Sequence, residues 1–161
     1  MDWFINMQKI LITYGTRPLA QRVANLLKNK FEVLFASSEE VPSFLRNTYP
    51  QIPTGVNPTF AHEILKYCLD NQIDYILPLG YSELESLAES KQLFEEYDIQ
   101  PLVPNLADLP LYFVIENPGS EVPIQVYSKG QSLTDEQSLS LPATGLLLLS
   151  DNQEELAIIT V

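Results

Sequence analysis

Three polar segments follow predicted buried strands and contain residue types that could bind a ligand. They are residues 15–17 (G-T-R), 37–39 (S-S-E) and 79–83 (L-G-Y-S-E). Ligands of open parallel sheets bind outside the carboxyl ends of the strands, where such segments meet. The first segment leads into a predicted helix, whose unpaired backbone N–H groups attract anions, and Arg17 adds a charge-assisted hydrogen-bond donor. The pattern therefore predicts a site for a small anionic molecule. We expect eight residues to line it: Gly15, Thr16, Arg17, Ser37, Gly80, Tyr81, Ser82 and Glu83.

Nucleotide binding is an alternative use of the same segments. Residues 15–20 read G-T-R-P-L-A, which keeps one glycine of the dinucleotide-binding pattern G-x-G-x-x-G, and Pro18 removes one backbone donor. A dinucleotide site also uses an acid at the end of the second strand to bind the ribose, and Glu39 stands later than that. An NAD(P)- or nucleotide-binding enzyme domain that uses Gly15 and Glu39 is therefore an open alternative, whereas a Walker A loop is absent.

Other catalytic arrangements lack the residues that they need. The one histidine, His62, and the one cysteine, Cys68, lie six positions apart on a predicted helix and point to different faces. A zinc site would need more of both residue types, and the serine-hydrolase elbow G-x-S-x-G is absent. We therefore expect a buried Cys68 thiol, a solvated His62, no metal site, no cofactor and no catalytic residue.

The composition describes an acidic protein of a length typical of one domain. Its 161 residues carry a formal net charge of −12, and 45% of them are hydrophobic. This charge argues against nucleic acid and anionic membranes as partners, and a single cysteine fits a reducing cytoplasm. Residues 1–60 carry a net charge of +2, and residues 61–161 carry −14. An anionic ligand is therefore expected in the first third of the chain.

Apolar runs and helical spacing alternate through residues 7–104. Amphipathic helices separate predicted strands at residues 9–14, 31–36, 73–77 and 99–103. The helix before the last of these strands is expected to begin with an S-x-x-E capping box at Ser82 and Glu85. This alternation predicts right-handed βαβ units and hence an α/β fold, a three-layer, Rossmann-like parallel sheet with helices on both faces.

The pattern becomes β-rich after Pro104. Residues 111–116 and 122–127 flank the turn sequence N-P-G-S and predict a pair of strands. Residues 145–150 and 156–161 flank D-N-Q and predict a second pair.

These observations divide the chain into three parts. Residues 1–6 are an N-terminal extension, residues 7–104 are the Rossmann-like domain, and residues 105–161 are a β-rich C-terminal extension or subdomain. The last predicted strand ends at Val161 and could present an edge. A protein-interaction module that forms a homodimer through the β-rich tail is therefore a further alternative.

Two regions of the sequence carry a resemblance to a known family. Residues 9–22 read K-I-L-I-T-Y-G-T-R-P-L-A-Q-R, and residues 57–68 read N-P-T-F-A-H-E-I-L-K-Y-C, continued at residues 73–84 by I-D-Y-I-L-P-L-G-Y-S-E-L. With these motifs the chain up to Pro104 resembles the pre-ATP-grasp domain. This is the N-terminal domain of ATP-grasp ligases such as biotin carboxylase and the carbamoyl-phosphate synthase large subunit. The resemblance implies a Rossmann-like domain that helps to form a substrate cleft and leaves ATP to a separate module. Residues 15–17 and 80–83 would face that cleft.

The chain departs from this family after Pro104. A ligase would continue with a lysine-bearing helix and the ATP-grasp module, whereas residues 105–161 number 57 and contain one lysine, Lys129. We therefore expect no catalysis by this chain alone. The expected function is that of a non-catalytic pre-ATP-grasp-like domain. It would contribute a substrate-binding cleft to an ATP-grasp module in the same or another chain, or act as a stand-alone module that binds a small molecule or protein.

Overall fold

The computed structural model of the protein describes residues 7–149 and 155–161. They form a mixed α/β structure with a four-stranded sheet and a five-stranded sheet. The expected N-terminal extension, residues 1–6, and the turn predicted at residues 151–153 lie outside the described residues. No helix in the described part of the chain is long and apolar enough to cross a bilayer.

The first sheet confirms the predicted parallel arrangement. Its strands are β1 (Gln8–Ile12), β2 (Phe31–Phe35), β3 (Tyr75–Leu77) and β4 (Gln100–Pro101), in the order β2-β1-β3-β4. Ile10 of β1 pairs with Val33 of β2 on one side and with Tyr75 of β3 on the other. The apolar sequence of β1 fits this inner position, because both faces of an inner parallel strand are buried.

Helices cover both faces of β1. Within the described residues they are α1 (Pro18–Leu27), α2 (Phe60–Asp70), α3 (Tyr81–Glu89) and α4 (Lys91–Glu96). Residues of α1 pack in one apolar cluster with Ile10 and Ile12, and residues of α2, α3 and α4 pack in another with Leu11. Because consecutive residues of a strand point to opposite faces, these two clusters lie on opposite sides of the sheet.

The beginning of α3 differs from the prediction. The helix begins at Tyr81, so Ser82 and Glu85 both lie inside it and the predicted capping box is wrong. Gly80 is the N-cap residue, and its backbone N–H donates to Glu83 Oε1 at 3.3 Å. A capping box has two side-chain hydrogen bonds, one from each of its residues. Glycine has no side chain, so only the bond made by Glu83 is present here.

The second sheet confirms one predicted strand pair and contradicts the other. Its strands are β5 (Phe113–Glu116), β6 (Gln125–Ser128), β7 (Gln131–Ser132), β8 (Gly145–Leu149) and β9 (Leu156–Thr160), in the order β5-β9-β8-β6-β7. β8 and β9 form the predicted antiparallel pair, with Leu147 opposite Ile158. The predicted pairing of β5 with β6 is wrong, because β5 pairs in parallel with β9 and β6 pairs with β7 and β8.

The position of β9 also corrects the expectation of an edge at Val161. β9 lies between β5 and β8, so both of its sides are hydrogen-bonded within the sheet. Among the described strands, β5 and β7 are the edges of this sheet. Any contact of a partner with an open edge in this part of the chain would therefore involve one of those two strands.

The two sheets share both apolar clusters. Side chains of β6, β8 and β9 alternate between them: Tyr127, Leu147 and Ile158 pack with α2–α4, and Val126, Leu146 and Ile159 pack with α1. The backbone N–H of Val161 also donates to the carbonyl of Leu79, the residue after β3 and Pro78, at 2.9 Å. The β-rich residues are thus packed against residues 7–104 through common cores.

Candidate functional site

The carboxyl ends of β1 and β3 meet where the order of the strands reverses. The chain leaves β1 toward β2 on one side and later enters β3 on the other side of β1. In open α/β sheets, such a reversal opens a crevice in which ligands bind. Residues 13–17 follow β1 and residues 79–83 follow β3, so two of the three predicted segments lie next to each other at this crevice.

A buried hydrogen-bond network joins these two segments. The Thr13 hydroxyl donates to Glu83 Oε1 at 2.5 Å and accepts the Leu79 N–H at 2.8 Å. Glu83 Oε1 also accepts the Gly80 N–H, whereas Glu83 Oε2 is buried with no hydrogen-bond partner in the described part of the chain. Thr13, Leu79 and Glu83 have no exposed surface. The loops after β1 and β3 are therefore fixed to each other by buried hydrogen bonds. Sequence analysis missed Thr13, which no motif indicated.

Burial changes the acidity of Glu83. Loss of contact with water raises the pKa of its carboxyl to about 7, although hydrogen bonds from Thr13, Gly80 and Leu79 oppose the shift. Near neutral pH the side chain is therefore divided between its neutral and charged forms. The neutral form has an O–H that can donate a hydrogen bond, and the charged form can only accept.

Tyr14 packs against both segments. Its backbone has a φ of 51°, and a Cβ at position 80 would lie 2.5 Å from its ring. The Arg17 guanidinium lies 5.9 Å from the centroid of the same ring, within the range of a cation–π interaction. Gly15 is equally restricted, because a Cβ there would lie 2.5 Å from Cβ of Phe35. Both predicted glycines therefore have a packing role, whatever binds beside them.

Arg17 forms a bidentate ion pair with Glu39. Its Nε and Nη2 each donate to a carboxylate oxygen at 2.8 Å, and the two side chains are 41% and 37% exposed. The hydrogen bond between them raises the pKa of Arg17 and lowers the pKa of Glu39. The buried Ser37 hydroxyl accepts the Glu39 N–H at 3.1 Å and so holds the acid beside the arginine. The third predicted segment is thereby joined to the first.

The remaining predicted residues differ in their exposure. Thr16 is exposed, and Tyr81 and Ser82 are half-buried. Gly55, in the long loop between β2 and α2, packs on the first turn of α3, where a Cβ would collide with the backbone of Ser82 and Glu83. This loop therefore covers part of the segment that follows β3, an arrangement that the sequence did not indicate.

A cavity of about 280 Å³ lies beside Arg17. One wall consists of residues at and after the start of α1, including Arg22, and the other is the turn that follows β5. Its lining residues are Arg17, Pro18, Leu19, Arg22, Asn117, Pro118 and Ser120. Sequence analysis missed Arg22 and the turn, because no local pattern indicates that residues so far apart in the chain lie against each other.

A second, apolar cavity of about 420 Å³ lies at the edge strand β5. Among its lining residues, Leu111 is 79% exposed and Phe113 is 64% exposed. None of the predicted site residues lines it. This region is therefore separate from the crevice, and its apolar character is typical of a contact surface.

The described residues do not supply two of the catalytic arrangements considered from the sequence. His62 is exposed, whereas Cys68 is buried and its thiol has a pKa raised to about 12, so the two do not form a nucleophilic pair. Within residues 7–149 and 155–161, no group of three His, Cys, Asp or Glu side chains could hold a metal ion. An arginine, backbone groups and a buried acid remain, and these can bind and orient a polar molecule. This geometry is the basis for assigning a function, because no protein-family model and no curated protein matches the chain.

Proposed function

We propose that this chain is a non-catalytic binding domain of the Rossmann-like, pre-ATP-grasp type, whose crevice binds a small anionic molecule. The observation that carries the proposal is the Thr13–Glu83 hydrogen bond at the reversal of strand order. A crevice whose two loops are already fixed loses less conformational entropy when a ligand binds. Helices on both faces of the parallel sheet support the three-layer arrangement of this fold class.

Arg17 is the residue proposed to bind the anionic group. Its pair with Glu39 uses Nε and one Nη2 hydrogen, so three of its five N–H donors are left. Both side chains are more than a third exposed, and an ion pair in that environment is worth about 1 kcal/mol or less. An anionic ligand can therefore share Arg17 with Glu39 or displace it at small cost.

The proposed role follows from this binding site. In a ligase, the crevice would present the substrate to an ATP-grasp module in the same or another chain, and this chain would supply no catalytic group. As a stand-alone module, it would bind and release its ligand unchanged. The proposed setting is the cytoplasm, which fits a single cysteine that is buried as a free thiol.

A ligand panel with matched arginine variants tests the proposal. Thermal shift and calorimetry would be run with ATP, ADP, NAD, NADP and small carboxylates such as succinate. We expect a small anion to stabilise the chain and Arg17→Met to weaken its binding by about tenfold or more. Arg46→Met is the control, because Arg46 is exposed after the 3₁₀ turn Ser43–Leu45 and does not line the cavity. Equal affinities of the native chain and Arg17→Met would overturn the site.

A Glu39 variant separates this proposal from dinucleotide binding. Glu39→Gln removes the charge that competes for Arg17, so we expect it to bind a small anion more tightly than the native chain does. If Glu39 instead accepted hydrogen bonds from a ribose, the same variant would bind NAD more weakly. Stabilisation by NAD alone, lost in Glu39→Gln, would replace the proposed function with that of a nucleotide-dependent enzyme domain.

Self-association is a second candidate function, favoured by the exposed apolar residues at β5. β5 is an edge strand of the described sheet, and Leu111, Phe113 and Val114 are exposed there. An open edge of this kind can pair with the same strand of a second copy. Light scattering of the native chain and of Phe113→Glu tests this candidate. A concentration-dependent dimer that Phe113→Glu abolishes would support it, and a monomer at all concentrations would exclude it.

A further inference from the structure

Two distant parts of the chain form the walls of the half-open cavity beside Arg17. Arg17, Leu19 and Arg22 lie on one wall, and Asn117 and Ser120 lie on the other. The hydrogen bond from Arg22 to the Gly119 carbonyl spans 97 positions of sequence. A site formed in this way requires the β-rich residues 105–161, in addition to the loops that follow β1 and β3.

The turn that forms the second wall is held in place from several directions. Arg22 Nη1 donates to the Gly119 carbonyl at 3.2 Å, and Nη2 donates to the carbonyl of Val122. Within the turn, the Val122 N–H donates to the Gly119 carbonyl at 3.1 Å. At its start, the Asn117 N–H donates to the Thr160 carbonyl of β9 at 2.8 Å. The wall is therefore preorganised and does not need to fold around a ligand.

The charges of the cavity favour a single oxyanion. Two guanidinium groups line it, and Glu39 neutralises that of Arg17. Arg22 has no carboxylate partner among the described residues, and its carbonyl bonds leave N–H donors free. The Glu121 carboxylate packs against Gly119, outside the cavity lining. The lining together with Glu39 thus carries one excess positive charge, which a carboxylate or a phosphate monoanion would balance.

The volume of the cavity limits the ligand to a compact molecule. About 280 Å³ is just below the range of roughly 300–1,000 Å³ that is usual for small-molecule pockets. A dinucleotide, with two nucleosides and a pyrophosphate, would extend well beyond this half-open cavity. A molecule of a few carbon atoms with one carboxylate or phosphate group has the appropriate size.

We infer that Arg22 and the turn at residues 117–120 complete the binding site, and that the ligand is a compact molecule with one oxyanionic group. This inference rests on the proposed function and adds a second arginine, a second wall and a size limit to it. Arg17 and Arg22 hold the oxyanion from the side of α1, and the turn encloses the rest of the molecule.

Titrations of the whole chain with two compact probes test the inference. Lactate carries a carboxylate and glycerol 3-phosphate carries a phosphate, so comparing the two titrations identifies which oxyanion is bound. In amide NMR spectra at constant ionic strength, we expect at least one probe to shift the signals of Leu19, Asn117 and Ser120. Arg22→Met should weaken its binding by about tenfold, whereas Arg46→Met should change it by less than about twofold.

A second variant protects the test against loss of structure in Arg22→Met. Ser120→Trp fills the cavity from an exposed position and leaves both arginines unchanged, so it should also abolish binding. Binding that requires Arg17 but persists in Arg22→Met and Ser120→Trp would overturn this inference and leave the proposed function intact. No binding of either probe would overturn the size and charge assignment. Tighter binding of NAD than of both probes would overturn the inference and the proposed function together.

Discussion

The Thr13 hydroxyl donates a hydrogen bond to Glu83 at 2.5 Å across 70 positions of sequence. Thr13 follows β1, and Glu83 lies in the first turn of α3. Because the same hydroxyl accepts the Leu79 N–H, one threonine binds both the backbone that leaves β3 and the acid that caps the next helix. The connection between the loops after β1 and β3 therefore depends on a single buried hydroxyl group and on a carboxyl that it contacts.

Glu83→Gln is expected to change how stability depends on pH. Burial raises the pKa of Glu83 from 4.5 to about 7, so the folded chain binds more protons than the unfolded chain between these values. The free energy of unfolding contributed by Glu83 is thus fully present below about pH 4.5 and falls by roughly 3 kcal/mol as the pH rises through 7. Urea denaturation at about pH 5 and about pH 8 should show a smaller loss for Glu83→Gln.

The control for this experiment is Glu85→Gln. Glu85 is exposed on the same helix, so its substitution removes one negative charge without changing a buried group. It should leave the pH dependence of unfolding close to that of the native chain. If Glu83→Gln and Glu85→Gln lose the same stability between the two pH values, the buried carboxyl does not titrate in this range.

Thr13→Val is expected to destabilise the fold. The substitution nearly preserves shape but removes the acceptor of the buried Leu79 N–H, whereas Glu83 Oε1 keeps the hydrogen bond from the Gly80 N–H. An unsatisfied buried polar group costs about 1–3 kcal/mol, so a loss in that range is expected in urea denaturation. Thr13→Ser keeps the hydroxyl and should lose much less. A loss in Thr13→Ser as large as that in Thr13→Val would show that the methyl group contributes as much to stability as the hydroxyl does.

Gly80→Ala is expected to displace the ring of Tyr14. The added Cβ would lie 2.5 Å from that ring, and relieving such overpacking costs about 1–3 kcal/mol. In a Tyr14→Gly background the ring is absent, so Gly80→Ala should cost far less. The difference between these backgrounds in a double-mutant cycle measures the contact. An equal cost in both would place the strain elsewhere in the loop.

The thiol of Cys68 is expected to be unreactive in the folded protein. It is buried, and burial raises its pKa to about 12, so almost no thiolate exists at neutral pH. Alkylation by iodoacetamide should be slow in buffer and rapid in denaturing urea. Similar rates of Cys68 alkylation by iodoacetamide under both conditions would show that α2 opens readily in the native state.

Periodicity was sufficient to predict the first sheet but not the pairing of the second. The apolar residues of β1 and the helical spacing of α1 indicate burial directly, and adjacent βαβ units pair by a general rule of handedness. A hydrogen-bonded turn forms at residues 119–122, which overlap the predicted N-P-G-S turn, yet the strands on either side of it do not pair with each other. The partner of β5 is β9, and no local sequence pattern indicates a parallel pairing between strands so far apart in the chain.

The segments of the candidate site were indicated by the sequence, but the contacts between them were not. The rule for carboxyl ends of strands indicated the segments that contain Gly15, Ser37 and Gly80. The Arg17–Glu39 ion pair could have been predicted, because an arginine follows β1, a glutamate follows β2, and these two strands are neighbours in the sheet. The contact of Arg22 with Gly119 had none, since it depends on how the two sheets pack.

The place of β9 in the second sheet has a consequence for the order in which the chain folds. β9 follows the other described strands in sequence, and it lies between β5 and β8. During synthesis β5 therefore has no strand to pair with until residues 156–160 have been made. Until then the apolar edge of β5 is exposed, so aggregation through this strand is expected in chains in which β9 has not yet formed.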